Sequence, residues 1–204
     1  MEEITISQVT PYAIRYLEEQ YVDAFFQKGE LMLSSFRHLS NLPNPGRKDT
    51  DEGTSSYCSA PINIIGDVSN RYLILCSSLS FNENARCGQK YGILIKDVNK
   101  FCAGIAQAIE DKGLKVKQSF VGPCNYFRRE MSFKMANNSP ADFLSLLKAR
   151  FCLEDLLFSK EPEFSFENEL RFVFELEEEL SDSQKHILVE VPHVIINCCS
   201  KKDF

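Results

Sequence analysis

Several patterns are missing from this chain of 204 residues, and each absence excludes a class of protein. No apolar run approaches the roughly 20 residues of a membrane-spanning helix, so we expect no membrane-spanning segment. None of the eight cysteines lies in a C-x-x-C pair, so no zinc signature is predicted. The sequences G-x-G-x-x-G and G-x-x-x-x-G-K-[ST] are also absent, which removes the two commonest phosphate-binding loops from consideration.

The net charge and the first residues constrain partners and location. A formal net charge of −6 disfavours binding of nucleic acid by bulk electrostatics, because phosphate contacts need clustered lysines and arginines. Residues 1–5 contain neither a basic nor an apolar segment, so we expect no secretory signal. The sequence therefore predicts a cytoplasmic protein with reduced thiols and no membrane partner.

Length and composition favour a single domain that covers residues 1–204. Hydrophobic residues make up 44% of the chain and charged residues 25%, which supplies enough apolar material for one core. Segments typical of strands and helices are mixed irregularly, without the regular βαβ order of a doubly wound sheet. We therefore expect an α+β fold built on a mostly antiparallel sheet with flanking helices.

Hydrophobic periodicity and capping residues predict the individual elements. Helices are expected over 18–28, ended by Gly29, over 98–112, capped by Asp97, and over 139–158. Strands are expected over 11–17, 30–36, 62–65, 71–81, 91–96, 114–122, 124–133, 164–175, 186–191 and 194–197. Polar loops are expected over 41–56 and 82–90.

Two carboxylates lie two positions apart in the segment Phe164-Ser-Phe-Glu167-Asn-Glu169-Leu-Arg171-Phe-Val-Phe-Glu175. Side chains at i and i+2 of a strand point to the same face, so Glu167 and Glu169 are expected to project into one space. Paired carboxylates raise each other's pKa, and one of them can then act as a base or stabilise a cation. The nearly isosteric variant Glu169→Gln is expected to keep the fold, unless Glu169 is a structural ion-pair partner of Arg171 or Arg15.

Three further features suggest a binding site. Arg15 lies in an apolar strand, where a guanidinium needs either a carboxylate partner or a ligand phosphate. The segment Cys76-Ser77-Ser78-Leu79-Ser80 places hydroxyl groups at a strand end, where they can orient a ligand or a glutamate. The loop Arg47-Lys-Asp-Thr-Asp-Glu-Gly53 combines an arginine with several acids and could close over a ligand.

In chain order, these features resemble the R-S-E class of ADP-ribosyltransferases. The arginine corresponds to Arg15, the hydroxyl cluster to residues 77–80, and the E-x-E motif to Glu167-Asn-Glu169. The chain is also similar to a group of bacterial and phage domains suspected of sharing that fold. Their G-x-L-x-x-S strand, R-x-D-x-x-E-G loop and F-x-x-E-x-E-x-R strand correspond to residues 29–35, 47–53 and 164–171. The resemblance extends over residues 11–176.

The resemblance implies a split, mostly antiparallel sheet of the ADP-ribosyltransferase-like kind, with NAD as the substrate. Glu169 would be the catalytic carboxylate that stabilises the ribosyl cation while nicotinamide leaves. Glu167 would help to activate the acceptor. A fixed carboxylate is the group that a developing cation requires.

The same resemblance implies which residues bind NAD. Arg15 would hold the pyrophosphate or the nicotinamide ribose, although Arg37 or Arg47 could take this role instead. The serines would support the nicotinamide pocket and position the glutamate; they are Ser77, Ser78 and Ser80. Ser-Leu-Ser stands here where the family often has Ser-Thr-Ser.

The acceptor would be a macromolecule, either protein or nucleic acid, and the chain would be a toxin or phage-conflict protein with an antitoxin or immunity partner. A second interpretation is an NAD glycohydrolase, in which water is the acceptor. A third is a non-catalytic module that binds a nucleotide or a protein. A metal-dependent hydrolase is disfavoured, because no His/Asp ligand spacing is present.

Overall fold

The structure is a computed structural model, and it describes residues 5–6, 12–36, 54–59, 62–67, 70–81, 83–86, 88–127, 130–132, 156–181, 184 and 186–204. Its strands are β1 Thr5–Ile6, β2 Ala13–Leu17, β3 Glu30–Ser35, β4 Thr54–Ser59, β5 Ile62–Asp67, β6 Tyr72–Ser78, β7 Tyr91–Ile95, β8 Val116–Pro123, β9 Asn125–Tyr126, β10 Glu130–Ser132, β11 Ser159–Lys160, β12 Glu169–Leu176, β13 His186–Glu190 and β14 Cys199–Asp203. Its helices are α1 Glu19–Lys28, α2 Glu83–Arg86, α3 Val98–Asp111, α4 His193–Ile196 and the 3-10 helix Pro162–Glu167.

The main sheet has the strand order β1-β8-β12-β6-β2-β7-β14, with β3 and β13 attached to β6 as a side branch. Its pairs are antiparallel except for the short parallel pair between β1 and β8. The prediction of an α+β fold on a mostly antiparallel sheet is therefore confirmed. Two small sheets accompany it, β10-β4-β5 and β11-β9.

The main sheet forks at β6. One edge of β6 pairs with β12 along its length, from Tyr72 to Ser78. The other edge is shared, because its first part pairs with β3 at Leu73 and Ile74 while its last residue pairs with Ile14 of β2. The two branches, β3-β13 and β2-β7-β14, therefore diverge from a common strand.

Strand β12 is buried along its whole length because it lies between β6 and β8. Its alternate residues face opposite sides of the sheet. One side belongs to the large core with α1 and α3, where Phe172 meets Phe101 with ring centroids 5.4 Å apart. The other side contributes Val173 to a smaller core. It also carries Glu169, Arg171 and Glu175, so charged side chains are buried on this side and need partners.

Two helices have a terminus at the residue that the sequence predicts. Helix α1 ends at Gly29, whose φ of 76° is left-handed and whose N–H donates to the Phe25 carbonyl at 2.8 Å. Helix α3 starts after Asp97, whose carboxylate accepts a hydrogen bond from the Lys100 N–H at 3.0 Å. The strands predicted over 11–17, 30–36, 91–96 and 186–191 are also confirmed, each within two residues at either end.

The prediction that residues 164–175 form one strand is wrong in its first part. Residues 162–167 form a 3-10 helix, Asn168 adopts a left-handed φ of 43°, and β12 begins only at Glu169. Pro162 fixes the first helical φ, and asparagine tolerates the left-handed region better than most residues do. Glu167 and Glu169 therefore do not share a strand face.

The predicted strand over 194–197 is also wrong, because residues 193–196 form helix α4. Ile195 packs against α3 at Gly104, where an added Cβ would lie only 2.2 Å from the Ile195 Cγ1. A short apolar run does not distinguish a strand from a buried helical turn, and this tertiary contact decides the case. The last strand is instead β14, which the sequence analysis did not predict.

Three other predicted segments need smaller corrections. The strand predicted over 124–133 contains two short strands, β9 and β10, which belong to different sheets. Residues 54–56 of the predicted loop 41–56 belong to β4, and the loop 82–90 contains α2. The loop 47–53 and nearly all of the helix 139–158 lie outside the described residues.

Candidate active site

The two predicted catalytic carboxylates come together by a route that differs from the predicted one. Glu167 ends the 3-10 helix and Glu169 begins β12, and the left-handed Asn168 turns the chain between them. Both carboxylates reach the ammonium group of Lys160, which lies 2.5 Å from Glu167 Oε2 and 3.0 Å from Glu169 Oε2. A shared cation thus brings the carboxyl groups to one point.

Lys160 is almost completely buried, with 5% of its surface exposed. Strand β11 carries it and pairs in parallel with β9, where Lys160 lies opposite Tyr126. Its ammonium group also lies 4.9 Å from the centroid of the Phe164 ring. A buried lysine needs carboxylate partners, and the two glutamates supply them.

Arg171 completes the cluster from the same strand as Glu169. Two positions separate these residues, so both side chains point to the same face of β12. Arg171 Nε donates to Glu169 Oε1 at 2.5 Å, and Nη1 donates to the Leu157 carbonyl at 2.7 Å. The guanidinium carbon lies 5.8 Å from the centroid of the Phe36 ring. Arg171 is fully buried, so its charge depends on these partners.

Two side chains in or next to β9, Cys124 and Tyr126, complete the surroundings of Glu169. The Cys124 thiol donates to Glu169 Oε1 at a sulfur–oxygen distance of 3.6 Å. The Tyr126 hydroxyl accepts a hydrogen bond from the Glu169 N–H at 2.7 Å. Burial raises the pKa of Tyr126, so this side chain remains a neutral phenol over the physiological range. The Glu169 carboxylate is thus held by three side chains: Lys160, Arg171 and Cys124.

The two carboxyl groups differ in their ionisation. Burial raises the pKa of Glu167 to about 7; the Lys160 charge opposes this shift and the Glu169 charge adds to it. Burial alone would also raise the pKa of Glu169, but Arg171 and Lys160 outweigh it and hold that pKa well below its usual range. Glu169 therefore stays ionised while Glu167 exchanges its proton near neutral pH.

The raised pKa of Glu167 predicts a pH dependence of stability. A carboxyl group with a raised folded pKa stabilises the fold fully below its unfolded pKa, near 4.5, and this contribution is lost as the pH rises through about 7. Glutamine at this position cannot ionise. The stability of Glu167→Gln relative to wild type should therefore increase as the pH rises across this window.

Urea unfolding at a series of pH values measures this difference. The matched control is Glu163→Gln, which changes an exposed carboxyl on the same 3-10 helix and should follow the wild-type pH dependence. Parallel curves for Glu167→Gln and wild type would contradict the expectation.

Two of the predicted serines behave differently from each other. The Ser78 hydroxyl lies 2.8 Å from the Glu167 carbonyl and 3.1 Å from the Ser80 carbonyl, so it fastens the end of β6 to the 3-10 helix. Ser77 alternates to the opposite face of β6. Among the described residues, the buried Ser77 Oγ has no hydrogen-bond partner. Ser80 acts through its backbone: its carbonyl accepts a hydrogen bond from the Tyr16 hydroxyl at 3.0 Å.

The predicted arginine, Arg15, lies next to a row of three residues that pair with one another across the sheet. Ile14 of β2, Ser78 of β6 and Glu169 of β12 are consecutive partners across the sheet. Arg15 is the next residue after Ile14, and its Nη1 donates to the Cys76 carbonyl at 2.6 Å, in the fork where β2 and β3 diverge. The alternation of β2 directs Arg15 to the face opposite Ile14. Arg37 and Arg47 lie outside the described residues.

The sequence analysis missed Lys160. No spacing links this lysine to the E-x-E motif, because it approaches through a separate strand pair, β11 with β9. The pairing of Glu169 with Arg171 has a signal, since opposite charges at i and i+2 of an apolar strand share one buried face. The sequence analysis named Arg171 only as an alternative ion-pair partner.

Within the described ranges, no three His, Cys, Asp or Glu side chains converge as a metal site, and no helix is long and apolar enough to cross a membrane. Five cysteines in the same ranges are not joined in disulfide bonds: Cys76, Cys102, Cys124, Cys198 and Cys199. Comparison with known proteins found no matching family model, no matching curated protein and no matching solved structure.

Proposed function

We propose that this protein is an ADP-ribosyltransferase-like enzyme that cleaves NAD and transfers ADP-ribose to a macromolecular acceptor. One observation carries the proposal. The strands that hold the arginine, the serines and the E-x-E glutamate are consecutive neighbours, β2-β6-β12, with Ile14, Ser78 and Glu169 in register. Strands that are separated by more than 60 positions in sequence are thus neighbours in the sheet, which supports the proposal through the order of the strands.

In this proposal, Glu169 stabilises the positive charge that develops on the ribose. The bond between the anomeric carbon and the nicotinamide nitrogen breaks, and its electron pair leaves with nicotinamide. A carboxylate that is already ionised and fixed stabilises such a cation without further reorganisation. Arg171 and Lys160 hold Glu169 in that state. These cations also offset part of its charge, so the stabilisation is smaller than that from an unpaired carboxylate.

Glu167 serves as the general base in the second half of the reaction. The acceptor nucleophile donates an electron pair to the anomeric carbon, and its proton passes to Glu167. A pKa of about 7 suits this role, because the group is then partly ionised at neutral pH. Ser78 and the chain at Ser80 would lie beside the nicotinamide, on the face of the sheet that carries Glu169. Arg15 and Ser77 alternate to the opposite face, so a role for Arg15 at the phosphates or a ribose requires NAD to extend beyond the Glu169 face. A toxin or phage-conflict protein with an immunity partner is the setting that this activity suggests.

The test is release of nicotinamide from NAD. Glu167→Gln should lower the rate by about 10²–10⁴-fold, and Glu169→Gln should abolish it. Glu163→Gln, an exposed change on the same 3-10 helix, should retain the wild-type rate. Each variant is assayed at a temperature at which circular dichroism shows it to be folded. An unchanged rate in Glu169→Gln would exclude the proposed chemistry, as would the absence of any release by wild type.

NAD labelled in its ADP-ribose part then separates two enzyme classes. Label retained on a macromolecule indicates transfer to protein or nucleic acid. Label recovered only as free ADP-ribose indicates an NAD glycohydrolase on the same scaffold.

One observation favours a second candidate, a non-catalytic module that binds a nucleotide. Glu169 is only 4% exposed and is paired with two cations, as a structural carboxylate would be. The melting temperature of such a module would rise with the concentration of NAD, and no nicotinamide would be released. Turnover that depends on Glu169 would exclude it.

A further inference from the structure

Lys160 holds a position between the two carboxyl groups that no other described cation shares. Its ammonium group is within hydrogen-bond distance of both Glu167 and Glu169. Arg171 contacts Glu169 through the other carboxylate oxygen, Oε1. Lys160 therefore bridges two carboxyl groups that also interact directly with each other.

Backbone contacts fix the base of the Lys160 side chain. The Phe127 N–H donates to the Lys160 carbonyl at 3.1 Å, and the Asn125 N–H donates to the Phe158 carbonyl at 2.7 Å. The ring of Phe164 lies beside the ammonium group.

The charges around Glu167 come from each element that packs near it. Strand β11 supplies Lys160, and β12 supplies Glu169 and Arg171. Tyr126 and Cys124 contribute neutral polar groups from the segment of β9. Helix α2 packs against the 3-10 helix and carries Glu83 and Arg86, one charge of each sign. Lys160 is the cation bonded directly to Glu167.

We propose that Lys160 is a positioning residue of the proposed active site: its ammonium group directs both carboxyl groups toward one point and keeps Glu167 able to exchange a proton there. The inference rests on the proposed function for its catalytic meaning. Its physical reason is independent of turnover. Burial raises the pKa of Glu167, and a bonded cation restores part of the stability of the ionised form.

A carboxyl titration tests this role directly. Protein with ¹³C-labelled glutamate is titrated by NMR, and Glu167→Gln and Glu169→Gln assign the two signals. Wild type should show a Glu167 midpoint near 7. In Lys160→Met that midpoint should rise by about 1–3 pH units, the effect of removing an adjacent cation. Lys160→Arg should restore it to near the wild-type value.

The matched control is Lys117→Met. Lys117 pairs with Glu175 at the other end of β12, with a nitrogen–oxygen distance of 2.8 Å. This change should leave the Glu167 and Glu169 midpoints in place. If Lys160→Met moves the Glu167 midpoint no more than Lys117→Met does, the proposal is overturned.

A second pair of variants keeps the test decisive if Lys160→Met does not fold. Lys160→Met with Glu167→Gln removes one charge of each sign and leaves Glu169 paired with Arg171. The Glu169 midpoint in this double variant should lie above that in Glu167→Gln alone. Equal midpoints would overturn the proposal.

The two proposals can fail separately. If wild type releases nicotinamide, the limb of its pH–rate profile near 7 should move upward in Lys160→Met and return in Lys160→Arg. If wild type releases none, the titration still tests Lys160. A shifted Glu167 midpoint without turnover supports the role of Lys160 and excludes the proposed enzymatic function.

Discussion

Replacing Arg171 with methionine should destabilise the protein by about 3–5 kcal/mol. The guanidinium is fully buried and bonded to Glu169 and to the Leu157 carbonyl. Methionine preserves much of the apolar volume but leaves the Glu169 carboxylate with one cation fewer. The main cost is therefore an inadequately paired buried charge rather than a cavity.

Urea unfolding measures this change as a lower midpoint at unchanged slope. Glu169→Gln should also cost several kcal/mol, since it leaves Lys160 and Arg171 as buried cations with one carboxylate fewer. The ion pair of Glu169 with Arg171 is the case in which the sequence analysis did not expect Glu169→Gln to be tolerated. The double variant Arg171→Met with Glu169→Gln should cost much less than the sum of the two, because Lys160 and Glu167 remain as a balanced pair.

Lys115→Met is the control, because it breaks the pair of Lys115 with Glu177, in which both side chains are exposed, by 78% and 52%. Its unfolding midpoint should stay close to that of wild type. Additive costs for the Arg171 and Glu169 variants would show that the two side chains do not act as a pair.

Replacing Gly29 with alanine should cost about 3 kcal/mol or more, for two separate reasons. The left-handed φ of 76° costs an L-residue about 1–2 kcal/mol. An added Cβ would also lie 2.4 Å from the Val191 carbonyl oxygen, which is backbone and cannot rotate away. The clash would separate the end of α1 from the segment after β13, where the Val191 N–H donates to the Gly29 carbonyl at 2.9 Å.

Gly113→Ala is the matched control for this variant. Gly113 also has a left-handed φ, of 84°, but an added Cβ would meet nothing within 4 Å. It should show only the conformational cost, about 1–2 kcal/mol. Equal losses of stability in the two alanine variants would mean that the contact with Val191 contributes nothing.

Local patterns were sufficient to predict much of the fold. The apolar spacing in α1, its end at Gly29 and the Asp97 cap of α3 all depend on neighbouring residues in the chain. The alternation of β12 likewise predicts that its two faces are distinct. These features need no knowledge of distant partners, so the sequence predicts them to within a few residues.

Local patterns failed where a distant contact decides the conformation. Ile195 lies in a helical turn because Gly104 leaves space for it against α3. Glu167 was expected on a strand, yet it ends a 3-10 helix whose position Ser78 fixes from across the sheet. An apolar or aromatic run of this length fits both kinds of structure, and packing selects one.

The sequence by itself determined that Glu167 and Glu169 lie close together and that Glu169 and Arg171 share a face of one strand. Only the tertiary structure decided what these charges do, because it places Lys160 between the carboxyl groups, buries Lys160, Glu169 and Arg171, and leaves Glu167 partly buried. The physical reason is that ionisation depends on burial and on charges within a few ångströms. Those neighbours arrive from separate strands, which no spacing along the chain encodes.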